Sequence, residues 1–179
     1  MIASEMRRNG KFASARADER REAGVWLIRR GDRSGPESRS LEKQSKLELQ
    51  TYVSAKLHEL RTLPDDWDDA GGVASSQAVT HVAYRTLDRI SDYRTVFPFI
   101  TPGEDGAILF EWRAGKERLE FEFLAAVPPL VRYVDASGAL KANGELGAEG
   151  VGYENIRSFL SGLSMRVWSA NPSWKRLFS

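Results

Sequence analysis

Between Gly103 and Asn143, apolar and charged positions alternate with a period of two. Ile108 and Phe110 alternate with Leu109 and Glu111, and Leu119, Phe121 and Phe123 alternate with Glu120 and Glu122. Such alternation predicts strands with one oily face and one charged face, here arranged as two successive β-hairpins. With Arg113 to Lys116 as the first turn, Phe110 faces Leu119, Ile108 faces Phe121 and Glu111 faces Arg118. A slip of one residue would turn every large apolar group outward. Burying each such group contributes about 1.5–3 kcal/mol, against roughly 0.2–1 kcal/mol for a cross-strand charge pair, so the apolar groups decide which face turns in. The second hairpin turns at Asp135-Ala136-Ser137-Gly138, a good turn composition. It pairs Tyr133 with Leu140 and Val131 with Ala142, and leaves Arg132 and Lys141 on the far face, leaning toward Glu120 or Glu122.

On either side of the hairpins the period becomes helical. Leu49, Tyr52, Val53, Leu57 and Leu60 share one face of a helix expected over Leu41 to Thr62, capped by Ser40 and ended by Pro64. Ser75 or Ser76 caps a second helix running to about Tyr93, whose inner stripe is Val79, Val82, Ala83, Leu87 and Ile90. Pro98 and Pro102 bracket an extended piece, Phe97 to Thr101. Gly144 to Gly152 reads as a glycine-rich connector. Tyr153 to Leu163 reads as a short helix with Ile156, Phe159, Leu160 and Leu163 inward, and Met165 to Ser179 shows no clean period. The sum is an α+β fold: an antiparallel sheet of four or five strands, packed on one face by about three helices. The other face carries Glu111, Arg118, Glu120, Glu122, Arg132 and Lys141, and is either solvated or a binding surface.

Residues 1–40 depart from this pattern. They hold ten basic and six acidic residues, and few apolar ones apart from the run Val25 to Ile28. They are expected to form a mostly disordered basic extension, with residues 41–179 as a single folded domain ending in an aromatic tail. Over the whole chain of 179 residues the net charge is only +1, which gives no global attraction to nucleic acid or to a membrane. The sequence has no cysteine, so disulfides, thiolate metal sites and a cysteine nucleophile are excluded. Val25 to Ile28 is too short for a secretory core or a membrane span, and a cytoplasmic location is expected.

Candidate chemistry is sparse. Asp65-Asp66-Trp67-Asp68-Asp69 gathers carboxylates of the kind that hold Mg²⁺ or Ca²⁺, but the spacing is not that of an EF-hand. Trp67 plugging the core edge, with the aspartates solvating the loop, explains it as well. The glycine loop lacks the lysine and hydroxyl of a phosphate loop. His58 and His81 lie on separate helices without cysteine, short of a zinc set; either would serve as a general base beside a close carboxylate, His58 with Asp68 for example. Asp105, Glu111 and Glu120 around a hairpin, with Asp68, would suit a metal-dependent phosphodiester hydrolase if they converged on one Mg²⁺. The tail segment Trp168 to Phe178 either completes the core or meets a partner, since tryptophan is enriched at interfaces.

Leu63-Pro64-Asp65-Asp66-Trp67-Asp68, then Gly71, a serine-initiated helix and a strand ending Glu111-Trp112, resembles a pattern in a family of uncharacterised bacterial proteins. The resemblance covers roughly Leu60 to Phe123, with Asp69 and Ala70 where a glycine and an aromatic often occur. It supports the fold and implies no activity. The expectation is a non-enzymatic protein-binding or regulatory protein, such as the partner of a toxin or an accessory protein of a mobile element. Its contacts would come from Trp67, Asp68, Glu111, Glu120, Glu122, Arg132, Trp168, Trp174 and Phe178, with no cofactor and no metal. The partner would be another protein or a second copy of the chain. The alternatives are the hydrolase and a nucleic-acid-binding module using residues 1–40.

Overall fold

The alternating segment builds a five-stranded sheet in a computed structural model that describes residues 36–178. The strands are β1 (Phe99–Pro102), β2 (Ile108–Ala114), β3 (Glu117–Phe123), β4 (Leu130–Val134) and β5 (Leu140–Glu145), each antiparallel to the next in chain order. Among the described residues three α-helices accompany them: α1 (Pro36–Arg61), α2 (Gln77–Ile90) and α3 (Tyr153–Ala170). The fold is therefore α+β, with the piece between Pro98 and Pro102 supplying the fifth strand. Residues Ser40–Ser179 form one compact unit. The basic segment before residue 36, including Val25 to Ile28, lies outside the described residues.

The hairpin faces are as the parity argument requires, but both registers are displaced by two residues. Phe110 pairs with Phe121, Ile108 with Phe123 and Trp112 with Leu119, so Glu111 stands opposite Glu120 rather than Arg118. In the first hairpin the cause is a tighter turn. Gly115 alone supplies the left-handed backbone, at φ 66, which suits a two-residue turn with glycine first and carries the strands through Ala114 and Glu117. A shift of two leaves every side chain on its expected face. In the second hairpin Tyr133 pairs with Ala142 and Val131 with Gly144, and a bulge separates Tyr133 from Val134. The turn itself is where it was expected: the Asp135 carboxylate accepts from the amides of Ser137 (2.8 Å) and Ala139 (3.0 Å). The bulge moves Lys141 away from Arg132, and its ammonium lies 3.3 Å from Asp135.

The helix boundaries also move. Ser40 lies within α1, which starts at Pro36, where the missing amide costs nothing and φ is already helical. Ser76 caps α2, its hydroxyl accepting from the Val79 amide at 3.3 Å. That helix stops at Ile90, short of Tyr93, because Ser91 turns extended while its amide still donates to Leu87. Its buried stripe takes in Thr80 and Thr86 and leaves Val82 38% exposed. α3 runs on past Leu163 to Ala170, and the buried Ser164 hydroxyl accepts from the Val96 amide at 3.3 Å.

Phe110, Trp112, Leu119, Phe121 and Phe123 on the inner sheet face meet Leu49, Val53, Leu87, Ile156 and Leu160 from the helices in one core. The tail completes it. A short helical turn, Trp174–Phe178, brings Trp174 to 1% exposure. Phe97 packs against it with ring centres 5.0 Å apart, and Tyr52 stacks on Phe97 at 4.7 Å.

One ionic group joins this interior. Glu117, on the inward parity of β3, is fully buried. Its carboxylate accepts from the Tyr133 hydroxyl and from Nε and Nη2 of Arg166 on α3, so every member of the cluster is satisfied, as a buried charge requires.

Candidate functional site

The face of the sheet turned away from this core is organised in cross-strand rows. One row runs Thr101, Leu109, Glu122, Leu130 and Glu145; the next runs Phe99, Glu111, Glu120, Arg132 and Asn143. Between them the twisted sheet encloses a recess of about 430 Å³, lined by residues of both rows. Antiparallel sheets commonly leave such a face to water, with polar side chains throughout. Here Phe99, Leu109 and Leu130 interrupt the polar pattern, at 43%, 37% and 38% exposure.

The charges in the recess are unequally matched. Glu120 has Arg118 at 3.3 Å and Arg132 at 3.9 Å. Glu111 pairs with Arg113, its neighbour along the strand. Glu122 has neither an ion pair nor a side-chain hydrogen bond among the described residues, and its row neighbours are Leu109 and Leu130. Three carboxylates thus line the recess against one lining guanidinium, Arg132. Chemically it is a mildly acidic, partly apolar trough suited to a cationic group carried on an apolar body.

Glu111, Glu120, Glu122 and Arg132 are therefore brought together, while the other expected contact residues lie elsewhere. Trp67 and Asp68 belong to a loop closed on itself. The Asp68 carboxylate accepts from the amides of Ala70 (3.0 Å) and Gly72 (2.7 Å), and that of Asp66 accepts from Gly71 at 2.6 Å. The Gly72 amide, then that of Ala70, holds the Asp68 carboxyl below its usual range. Asp66 and Asp69 take left-handed backbone, φ 59 and 58, which aspartate tolerates better than most residues. Gly72 is required by close approach: a Cβ there would lie 2.6 Å from both Asp68 Oδ1 and Trp67 Nε1.

In the tail, Trp174 is a core residue, which removes it from the exposed surface. Trp168 is fixed by donating from Nε1 to the Arg94 carbonyl at 2.9 Å. Phe178 packs on Phe99, ring centres 4.9 Å apart, and so braces one wall of the recess. The hydrolase set of Asp68, Asp105, Glu111 and Glu120 does not converge: among the described residues no three His, Asp or Glu side chains gather as metal ligands.

Sequence reasoning missed Phe99, Leu130 and Asn143 as parts of the recess. Leu109 gave the one readable signal, an oily residue at outward parity in a strand whose inner face was already filled. No protein-family model, curated protein or solved structure matches this chain.

Proposed function

We propose that this protein is a non-enzymatic binding or regulatory protein of the cytoplasm that holds a segment of a protein partner in the recess on its open sheet face. The observation that carries this reading is Glu122, a carboxylate without a cationic partner set between two half-exposed leucines. A partner segment bearing lysine or arginine beside an aliphatic or aromatic side chain answers both features. The charge-assisted contact contributes about 1.5–3 kcal/mol. Covering Phe99, Leu109 and Leu130 adds an apolar centre with a polar rim, the usual anatomy of an interface. The partner of a toxin and an accessory protein of a mobile element are roles of this kind by analogy.

Selection from a library of displayed peptides tests the reading. Peptides combining a basic and an apolar residue should be enriched, and their binding should be lost in Glu122→Lys and in Leu109→Asp while circular dichroism shows the fold unchanged. Enrichment of no such class, or binding indifferent to both substitutions, refutes it.

A further inference from the structure

A second concavity lies between α1 and α2, away from the sheet recess. It encloses about 290 Å³, and its polar lining includes Ser54, His58, Arg61, Gln77, His81 and Tyr84. The sequence has two histidines in all, and both line this groove from different helices. No aspartate or glutamate lines it. None of these six side chains has a hydrogen-bond or ion-pair partner among the described residues, so a guanidinium, two imidazoles, an amide and two hydroxyls are all open to a ligand. Part of the basic character has a local reason: His58 and Arg61 stand in the last turn of α1, where cations offset the negative end of the helix dipole. That does not account for His81, Gln77 and Tyr84, which reach the same space from α2. Nor does α2 soften the field, since its first turn, at the positive end of that dipole, contains no acid.

We propose that this groove binds the phosphate of a small phosphomonoester. Arg61 supplies the planar fork that matches phosphate oxygens, and the imidazoles, the Gln77 amide and the Tyr84 hydroxyl supply further donors. A cation is the poorer occupant. A transition metal needs a third protein ligand that these residues do not provide, and the Arg61 charge opposes it. The volume admits a phosphate with a short carbon skeleton, and the open mouth leaves the rest of a larger molecule in water.

The chain's own histidines are the reporters. Imidazole signals of the full-length protein, followed by NMR, should both shift saturably with one dissociation constant as glycerol phosphate is added. Chloride at matched ionic strength should leave them in place. Arg61 is exposed, so Arg61→Ala keeps the core and should weaken binding by about tenfold or more, the scale of a lost charge-assisted contact. Tyr84→Phe should weaken it a few-fold, and Lys116→Ala, which removes an exposed charge from the β2–β3 turn, should not change it. Signals that fail to saturate, that respond equally to chloride, or that are indifferent to Arg61→Ala overturn the site. A stronger response to a short single-stranded oligothymidylate than to glycerol phosphate overturns the assignment to a monoester.

Discussion

Removing the Arg166 guanidinium isolates a charge that the fold has taken entirely out of water. Glu117 is 0% exposed, and it accepts two hydrogen bonds from Arg166 and one from Tyr133. In Arg166→Ala the carboxylate keeps only the tyrosine hydroxyl. Breaking a buried pair in this way typically costs about 3–5 kcal/mol. The Arg166 side chain is itself 49% exposed, so water can enter from its side, and the expected cost is at the lower end, about 3 kcal/mol. Glu117→Gln keeps the shape and leaves an acceptor for Tyr133 while removing the charge. It should cost less, about 1–2 kcal/mol, the difference between charged and neutral hydrogen bonds. Replacing both partners together, as Glu117→Leu with Arg166→Met, should cost less than Arg166→Ala alone, because no charge is then stranded. Urea denaturation followed by circular dichroism and tryptophan fluorescence gives the three values. A loss below about 0.5 kcal/mol for Arg166→Ala, the size of an ordinary surface substitution, would refute the reasoning. So would a double variant less stable than the single one.

Alkaline pH and the acidic loop supply the remaining tests. Burial pushes the Tyr133 phenol up from 10.0 to about 12, helped by its bond to Glu117, and burial likewise raises Tyr52 to about 12, helped by the charge of Glu59. Each phenol stays neutral to higher pH in the folded chain than in the unfolded one. Their stabilisation is therefore complete below pH 10 and is lost as the pH climbs from 10 to about 12. Thermal melts across that range, read beside tyrosinate absorbance, should fall together, and a melting temperature flat to pH 12 contradicts the burial of both rings. Gly72→Ala places a Cβ against Asp68 and Trp67 and should cost about 1–3 kcal/mol, as overpacking does, with a changed Trp67 fluorescence. An unchanged stability and spectrum would mean that the loop is not closed in solution.

The sheet was legible in the sequence because a period of two assigns faces without needing register. That is why Phe110, Leu119 and Phe121 are inside although their partners were displaced by two residues. Register depends on the turn, and Gly115 decided it through one left-handed residue that side-chain parity does not encode. Glu117 escaped notice for a related reason: taken as the start of a strand beside a turn, a glutamate suggests solvent, and only Arg166, 49 residues away in sequence, makes its burial tolerable. The long α3 was hidden because Gly162 and Ser164 weaken the local helical signal, while its stability comes from packing on the sheet. As for the candidate site, the carboxylates of the recess were readable as an outward row, with Leu109 among them. Its other apolar members were not, since Phe99 belongs to a short edge strand and Leu130 follows two prolines.

The bracing of Phe99 by Phe178 ties the rim of the trough to the far end of the described chain. Fraying of that last helical turn would free the Phe99 ring and widen the opening on its β1 side. By reciprocity, whatever fills the trough and fixes Phe99 must also hold the tail in place. Backbone amides of residues 174–178 would then exchange more slowly with solvent when the trough is occupied, which makes a segment outside the contact surface a gauge of its occupancy.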